Sequence, residues 1–217
     1  MTKAVASRIV GGLSNPSKMP GFAFGLPARK TCPIGDKLAV VEGTPCSTCY
    51  ATRNLYALPA TQTAQARRLT AVEHALAKSD ARAEWIDAMV TLLRGQAWFR
   101  WHDSGDIFSA DYLSLIIDVV RLTPTTRHWL PTQERSTVRA WMREHGALPE
   151  NLTIRVSMPK IDASAENIAA TQRVLGLPTS SVSTTAPTCP ARLQKNSCRD
   201  CRACWDRTVP NVAYAKH

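Results

Sequence analysis

The chain has 217 residues, 44% of them hydrophobic, and a formal net charge of +10. This length and apolar content suffice for one substantial core, or for one domain with a small appendage. The first twenty residues carry three cations and no sustained apolar run, so neither a signal peptide nor a membrane span is predicted, and we expect a cytoplasmic protein without a membrane partner. The positive charge favours nucleic acid, nucleotides or other anions as partners.

The first sixty residues are predicted to be mostly loops. Gly, Pro and Ser are frequent between residues 10 and 31, where a short extended piece is predicted at 22–25. An apolar run at 37–42 ends at Gly43 and predicts a strand or a hairpin arm.

Two helices and then an alternating core are predicted next. Apolar spacing indicates helices at 61–77 and 80–94, with Asp80 capping the second. Strands and helices then alternate three times, with strands at 97–102, 127–131 and 151–156 and helices at 109–121, 135–145 and 163–175. This alternation predicts an α/β fold of mostly parallel strands with helical crossovers, either an open sheet or a full or partial (β/α) barrel.

We therefore predict a single domain with three parts. These are N-terminal loops with a cysteine motif (1–60), a β/α core (61–186) and a cysteine-rich C-terminal extension (187–217). Polar residues follow all three predicted core strands, at 102–106, 132–135 and 157–160. Because ligand sites of parallel α/β folds lie at the carboxyl ends of the strands, we expect these residues on one edge, to which the C-terminal extension returns.

The seven cysteines form two groups, which we call the N-terminal thiols and the terminal thiols. The N-terminal thiols are Cys32, Cys46 and Cys49, and the terminal thiols are Cys189, Cys198, Cys201 and Cys204. Only two residues separate neighbours within the pair 46/49 and the triplet 198/201/204, close enough for short loops to direct them at one centre. The odd count and tight spacing favour metal binding over disulfides or inert buried thiols.

Several metal arrangements fit these groups. Four thiolates saturate an iron–sulfur cluster or a tetrahedral zinc ion, whereas three leave a metal position open. The terminal thiols combine a tight triplet with a remote Cys189-Pro190, as in ferredoxins, so we expect a [4Fe-4S] cluster there, with zinc as the rival. Alternatively, the N-terminal thiols borrow one terminal thiol and complete a single cluster, so the number of clusters is one or two.

The motifs at 14–20, 32–33, 46–51, 102–108 and 198–204 resemble the phage gene product 88 family over nearly the whole chain. This resemblance implies a phage-encoded protein in the cytoplasm of a host cell. More distantly, the turn Cys46-Ser-Thr-Cys49-Tyr-Ala, the strand that ends in Ser104-Gly105-Asp106 and the residues 132–135 resemble proteins related to radical S-adenosylmethionine enzymes.

The second resemblance implies a partial (β/α) barrel and a cofactor site. The N-terminal thiols would hold a [4Fe-4S] cluster whose open iron takes the amino and carboxylate groups of S-adenosylmethionine. Ser104, Gly105, Asp106 and Gln133 would bind that cofactor, with Gly105 allowing close backbone approach and Asp106 accepting a charge-assisted hydrogen bond. Thirteen residues separate Cys32 from Cys46 in this chain, a longer spacing than in the motif of those enzymes.

Three residues of the first polar segment are candidate catalytic groups. His102 suits proton transfer, and a hydrogen-bonded structural histidine fits its position equally. Asp103 and Asp106 fit a carboxylate pair, or caps of the following helix in competition with Ser109. Trp205, next to Cys204, is a candidate shield of a cluster from solvent.

Two classes of function follow. The first is an iron–sulfur enzyme of the radical S-adenosylmethionine type that modifies a nucleotide or a nucleic acid and takes electrons from a donor. The second is a non-catalytic iron–sulfur or zinc protein that binds nucleic acid or a host partner.

Overall fold

The computed structural model describes residues 1–216, in which six parallel strands form one sheet. The strands lie side by side in chain order, and no pairing joins the first strand to the sixth, so within the described chain the sheet is not closed. The strands are β1 (Phe22–Phe24), β2 (Trp98–Trp101), β3 (Arg127–Thr132), β4 (Leu152–Ser157), β5 (Thr179–Ser183) and β6 (Asn211–Ala215). The predicted α/β class, a partial barrel of parallel strands, is confirmed.

Helices connect most of the strands. They are α1 (Lys3–Val10), α2 (Pro33–Leu38), α3 (Pro59–Ala77), α4 (Ser79–Leu93), α5 (Ala110–Leu122), α6 (Arg135–His145) and α7 (Ala165–Leu175). The predicted cap of α5 is confirmed, since the Ser109 hydroxyl accepts a hydrogen bond from the Tyr112 amide at 3.1 Å. None of the helices within residues 1–216 has the length and apolarity to cross a membrane.

The two faces of the sheet bury different sets of side chains. Successive strand residues point to opposite faces, so Phe99 and Trp101 of β2 pack with the helices in the larger core. Trp98 of β2 and Trp129 of β3 belong to a second, smaller core that includes Trp205. This second face carries the connection from β5 to β6, which contains all four terminal thiols and no α-helix.

Two predictions in the N-terminal half are wrong. Residues 37–42 contribute to the end of helix α2 and the turn after it. Pro33 presets the first helical turn, and the Thr44 hydroxyl donates to the carbonyl oxygens of Leu38 (2.7 Å) and Val41 (2.9 Å), which satisfies the end of the helix. Asp80 is not the cap of α4, because that helix begins at Ser79, one residue after the break at Lys78.

Three elements are absent from the sequence prediction: α1, β5 and β6. Helix α1 is short, and it begins at a Thr2 cap and ends at Gly11, whose φ of 80° is a left-handed conformation that glycine adopts without strain. Strands β5 and β6 are only partly apolar, and β5 reads Thr-Ser-Ser-Val-Ser. Pairing with β4 and with each other makes them strands, since short polar segments carry little signal of their own.

One histidine in the larger core makes stability depend on pH. His128 is 0% exposed, and its Nδ1 accepts a hydrogen bond from Trp101 Nε1 at 3.3 Å. The Thr123 hydroxyl donates to the Val119 carbonyl, so His128 Nε2, 2.9 Å away, donates to that hydroxyl and the ring is neutral. Burial lowers the pKa of His128 to about 3.

We expect the replacement His128→Gln to flatten the pH dependence of unfolding. The folded pKa lies below the unfolded value of about 6.5, so the contribution of His128 is complete above pH 6.5 and declines as pH falls toward 3. Between pH 7.5 and 5.0 it should amount to about 2 kcal/mol, measured as the difference in urea-unfolding free energy. The exposed His74→Gln is the control, and an unchanged slope in His128→Gln contradicts the prediction.

Candidate metal centres

The N-terminal thiols converge around the start of helix α2. Cys32 is the residue that precedes this helix, and Cys46 lies in the 3₁₀ turn Pro45–Thr48. A Cβ added to Gly35 would lie 3.0 Å from Cys32 Cβ and 3.6 Å from Cys46 Sγ. Gly35 therefore leaves space for the two thiols to approach each other, in a position that a side chain would fill.

Burial keeps Cys32 and Cys46 protonated at neutral pH. Burial and the nearby Asp106 carboxylate raise the pKa of Cys32 to about 12. Burial and the neighbouring Cys49 raise the pKa of Cys46 to about 11. Thiolates are the forms that bind metals, so a bound cation would displace these protons.

The loop after β2 holds the segment that contains Cys32. Asp106 accepts hydrogen bonds from the Thr132 hydroxyl (2.6 Å) and from the amides of Ile107 (2.7 Å) and Gln133 (2.8 Å). Its own amide donates to the Thr31 carbonyl at 3.2 Å. Burial, opposed by the bonds it accepts, raises the pKa of Asp106 to about 7. Asp106 thus ties β2, β3 and the Cys32 segment together.

The two residues before Asp106 contact the same segment. Ser104 Oγ donates to the Leu26 carbonyl at 2.7 Å and accepts from Gln65 Nε2 at 2.8 Å. Gly105 has a φ of 78°, and an added Cβ would lie 2.5 Å from Thr31 Oγ1 and 2.8 Å from Leu26 Cβ. The close approach predicted at Gly105 is therefore made to the chain itself.

Asp103 has partners on a different segment. It accepts hydrogen bonds from Ser14 Oγ (3.3 Å) and Tyr56 Oη (3.2 Å), and its carbonyl accepts one from Tyr50 Oη at 2.7 Å. Asp103 and Asp106 therefore bind separate partners, and Asp103 fastens the loop that follows Cys49.

His102 is buried in a left-handed conformation with a φ of 58°. Its Nε2 lies 3.1 Å from the Tyr112 hydroxyl, while Nδ1 is buried without a hydrogen-bond partner. Burial and the Arg100 charge lower the pKa of His102 to about 3, so the ring is neutral at physiological pH.

The residues after β3 also support the N-terminal thiols. Glu134 accepts a hydrogen bond from the Ile34 amide at 2.7 Å and so connects helix α2 to the end of β3. The Gln133 side chain lies 3.5 Å from the Met158 carbonyl, at the end of the neighbouring strand. Residues of three strand ends thus meet at the carboxyl edge beside Cys32.

The four terminal thiols line one cavity of about 310 Å³. Cys204 is buried and the other three are half-buried. Apolar side chains complete much of the wall, among them Trp205, Val209 and Val212. Burial raises the pKa of Cys204 to about 11. Among residues 1–216, no three Cys, His, Asp or Glu side chains are grouped closely enough to hold a single metal ion.

Arg155 anchors this cavity to the sheet. It projects from β4 and is fully buried. Its guanidinium donates to five backbone carbonyls at 2.5 to 3.1 Å, those of Thr179, Ala203, Cys204, Asp206 and Val209. One side chain therefore shapes the turn that presents Cys204.

The turn that carries Cys204 lies over the second face of the sheet, whereas Cys189 lies near the carboxyl end of β6, where its amide donates to the Ala213 carbonyl at 2.9 Å. The Trp205 carbonyl accepts a hydrogen bond from Thr153 Oγ1 at 2.8 Å, and the Cys198 amide donates to the Lys18 carbonyl at 2.7 Å. Thr153 is near the start of its strand and Lys18 precedes β1. The extension therefore returns to the carboxyl end of β6 at Cys189, while Arg155 and Thr153 hold the turn with Cys204 over the face.

Arg100 lies between the two groups of thiols. Its Nη2 donates to Tyr50 Oη at 3.0 Å, and its guanidinium carbon stacks 4.5 Å above the Trp129 ring. Arg100 and Arg155 were not predicted as site residues. The available signal was an arginine inside a short apolar strand, which requires polar partners on the face to which it points.

Comparison with known proteins gives one family. The family model described as gene product 88 matches residues 2–207. No curated protein and no solved structure matches the chain. The match agrees with the resemblance carried by the cysteine and His102–Phe108 motifs, while similarity to radical S-adenosylmethionine enzymes stays a prediction.

Proposed function

We propose that this chain, which belongs to the gene product 88 family by the match over residues 2–207, is an iron–sulfur protein because it carries two separate groups of cysteine thiols. The observation that carries the proposal is the cavity of about 310 Å³ between the four terminal thiols. A zinc ion binds four sulfurs at about 2.3 Å from one point, whereas a [4Fe-4S] cluster binds each of its four cysteine sulfurs through a different iron and so holds them farther apart. Four thiols around a space of this volume fit the cluster better, and the cluster would be saturated.

The N-terminal thiols are proposed to hold a second cluster. Three thiols leave one iron open, and their position beside strand ends is where parallel α/β folds bind ligands. When bound and reduced, such a cluster supplies one electron for reductive cleavage of S-adenosylmethionine. Ser104 and Asp106 are already engaged in hydrogen bonds within the chain, so the proposal assigns them the positioning of the Cys32 segment.

The catalytic form of this proposal is an enzyme that modifies a nucleotide or a nucleic acid, with the net charge of +10 as its support. The non-catalytic form, an iron–sulfur or zinc protein that binds nucleic acid or a host partner, rests on the internal engagement of Asp103, Ser104 and Asp106. Binding of S-adenosylmethionine distinguishes the catalytic from the non-catalytic form.

Metal analysis of protein purified without oxygen tests the clusters. We expect about eight irons and eight sulfides per wild-type chain and about four of each in both Cys49→Ser and Cys201→Ser. Each variant is the control of the other, because the two cysteines belong to different groups. About one zinc per chain, together with about four irons and four sulfides, would replace the terminal cluster by a structural zinc site.

The same anaerobic protein tests the catalytic form. We expect it to bind S-adenosylmethionine in equilibrium dialysis and, once reduced, to release 5′-deoxyadenosine, and we expect Cys49→Ser to do neither. If the wild-type protein has both clusters but neither binds nor cleaves the cofactor, the non-catalytic form is correct.

A further inference from the structure

Four cations lie beside the terminal cavity, and two more are exposed residues of the same cysteine-rich segment; we call the six the basic rim. The four are Lys18, Arg192, Arg202 and Lys216, and the other two are Lys195 and Arg199. Lys18, Arg192 and Lys216 line a pocket of about 240 Å³ that shares Cys189 with the cavity. Arg202 packs 5.3 Å from the Trp98 ring and donates to the Cys201 carbonyl at 2.9 Å, so it is held beside the thiols.

Cations outnumber the carboxylates near this rim. Two ion pairs occur within residues 1–216, Arg29–Asp36 and Arg82–Asp118, and neither includes a rim residue. Two carboxylates lie near the rim. Asp200 is in the same stretch as Arg199 and Arg202, and Asp162 is near Lys216, because hydrogen bonds from Thr184 and, to a smaller extent, the Lys216 charge lower the pKa of Asp162. The surface beside the cavity therefore presents a positive field to an approaching partner.

An apolar side chain lies within this positive surface. Leu193 is 91% exposed, directly after Arg192 and two residues before Lys195. It belongs to the 3₁₀ helix Pro190–Gln194, which begins one residue after Cys189. Protein–protein interfaces combine apolar and charged residues, so an exposed leucine next to these cations fits a protein partner.

A series of contacts leads inward from this surface. Cys204 Sγ lies 3.2 Å from Tyr214 Oη, and the ring of the adjacent Trp205 lies 5.2 Å from that of Trp129. Arg100 stacks on Trp129 and donates to Tyr50, the neighbour of Cys49. The terminal thiols are thus connected by packed side chains to the N-terminal thiols.

We propose that the basic rim and Leu193 form the docking surface for an acidic one-electron carrier protein that reduces the terminal cluster. This inference rests on the proposed iron–sulfur function and names its partner. In the step, the carrier loses one electron and the cluster gains one, with no bond formed or broken and no proton transferred. The carrier's carboxylates would face the rim, and an apolar residue of the carrier would cover Leu193.

Reduced flavodoxin, a small flavin protein with an acidic surface, is the probe. The variant Arg192→Glu/Leu193→Ser is compared with Arg173→Glu/Val174→Ser, which makes the same chemical changes on helix α7, where Val174 is 64% exposed. Binding is measured by thermophoresis, and reduction by the bleaching of cluster absorbance after mixing, both at low and high salt. Photoreduced deazaflavin, a small reductant, is the control for access without docking.

We expect the rim variant to raise the Kd for flavodoxin and to slow its reduction of the cluster by about tenfold or more at low salt. The helix α7 variant should match the wild type, and deazaflavin should reduce all three proteins equally. Equal reduction of wild type and rim variant by flavodoxin overturns the inference, as does a duplex DNA that binds the rim and excludes flavodoxin.

Iron and sulfide content of the same samples separates the two proposals. If the clusters are intact but flavodoxin binds and reduces the rim variant as well as the wild type, this inference alone is overturned. Absence of iron and sulfide at the terminal thiols overturns the proposed function and this inference together.

Discussion

The replacement Arg155→Met should remove the terminal cluster and lower the free energy of unfolding by at least about 3 kcal/mol. Methionine keeps most of the apolar volume but donates no hydrogen bond, so five backbone carbonyls lose their shared donor. Buried carbonyls without partners are costly, and the turn that carries Cys204 depends on them. Urea unfolding and iron analysis measure the two effects.

Two further variants interpret the Arg155 result. Arg127→Met, at the exposed start of β3, removes an arginine from a neighbouring strand and should leave iron content unchanged. Arg155→Lys keeps the charge and cannot reach all five carbonyls, so we expect partial retention. If Arg155→Met keeps about eight irons per chain, the arginine does not shape the terminal centre. If it loses only about four, the N-terminal centre folds independently of that clamp.

The replacement Gly105→Ala should damage the N-terminal centre. The added Cβ would lie 2.5 Å from Thr31 Oγ1 and 2.8 Å from Leu26 Cβ, so the segment before Cys32 must move away from the strand edge. Left-handed backbone costs alanine about 1–2 kcal/mol, and forced overpacking adds about 1–3 kcal/mol. We expect a corresponding loss of unfolding free energy, measured in urea, together with lower iron content.

Gly95→Ala is the matched control. Gly95 has a φ of 81°, close to the 78° of Gly105, but nothing lies within 4 Å of its added Cβ. It therefore carries the backbone cost without the contact cost, and the difference between the two variants isolates the overpacking. Equal losses in both variants would mean that the approach of Gly105 to Leu26 and Thr31 has no energetic consequence.

Capping chemistry and spacing made the core predictable. Apolar runs at β2, β3 and β4 are separated by amphipathic helices, one of them begun by the Ser109 cap, and a short run of this kind has few ways to pack other than in a parallel sheet. The strand predicted at 37–42 falls on the end of helix α2 and the turn after it, because six residues carry too little periodicity to distinguish helix from strand. The hydroxyl of Thr44, which completes the end of that helix, acts from six residues away.

The residue types of the candidate site could be predicted from the sequence, but the hydrogen-bond partners of those residues could not. His102–Asp106 were recognised as a polar segment at a strand end, yet Asp106 binds β3, Asp103 binds the tyrosines after Cys49, and His102 is buried. These partners lie up to 89 residues away in sequence, as for Ser14 and Asp103. A sequence pattern that spans a few residues contains no information on contacts between residues so far apart in the chain.

The sequence by itself determined the parallel α/β class and the division of seven cysteines into a group of three and a group of four. Only the tertiary structure decided where the two groups lie, with the N-terminal thiols at the carboxyl edge and the turn that carries Cys204 over the second face of the sheet. The physical reason is Arg155, whose buried charge requires hydrogen-bond acceptors, and the carbonyls of the cysteine-rich turn provide them. Spacing in the sequence sets which thiols are neighbours, whereas a buried donor on β4 sets the surface on which the turn with Cys204 is held.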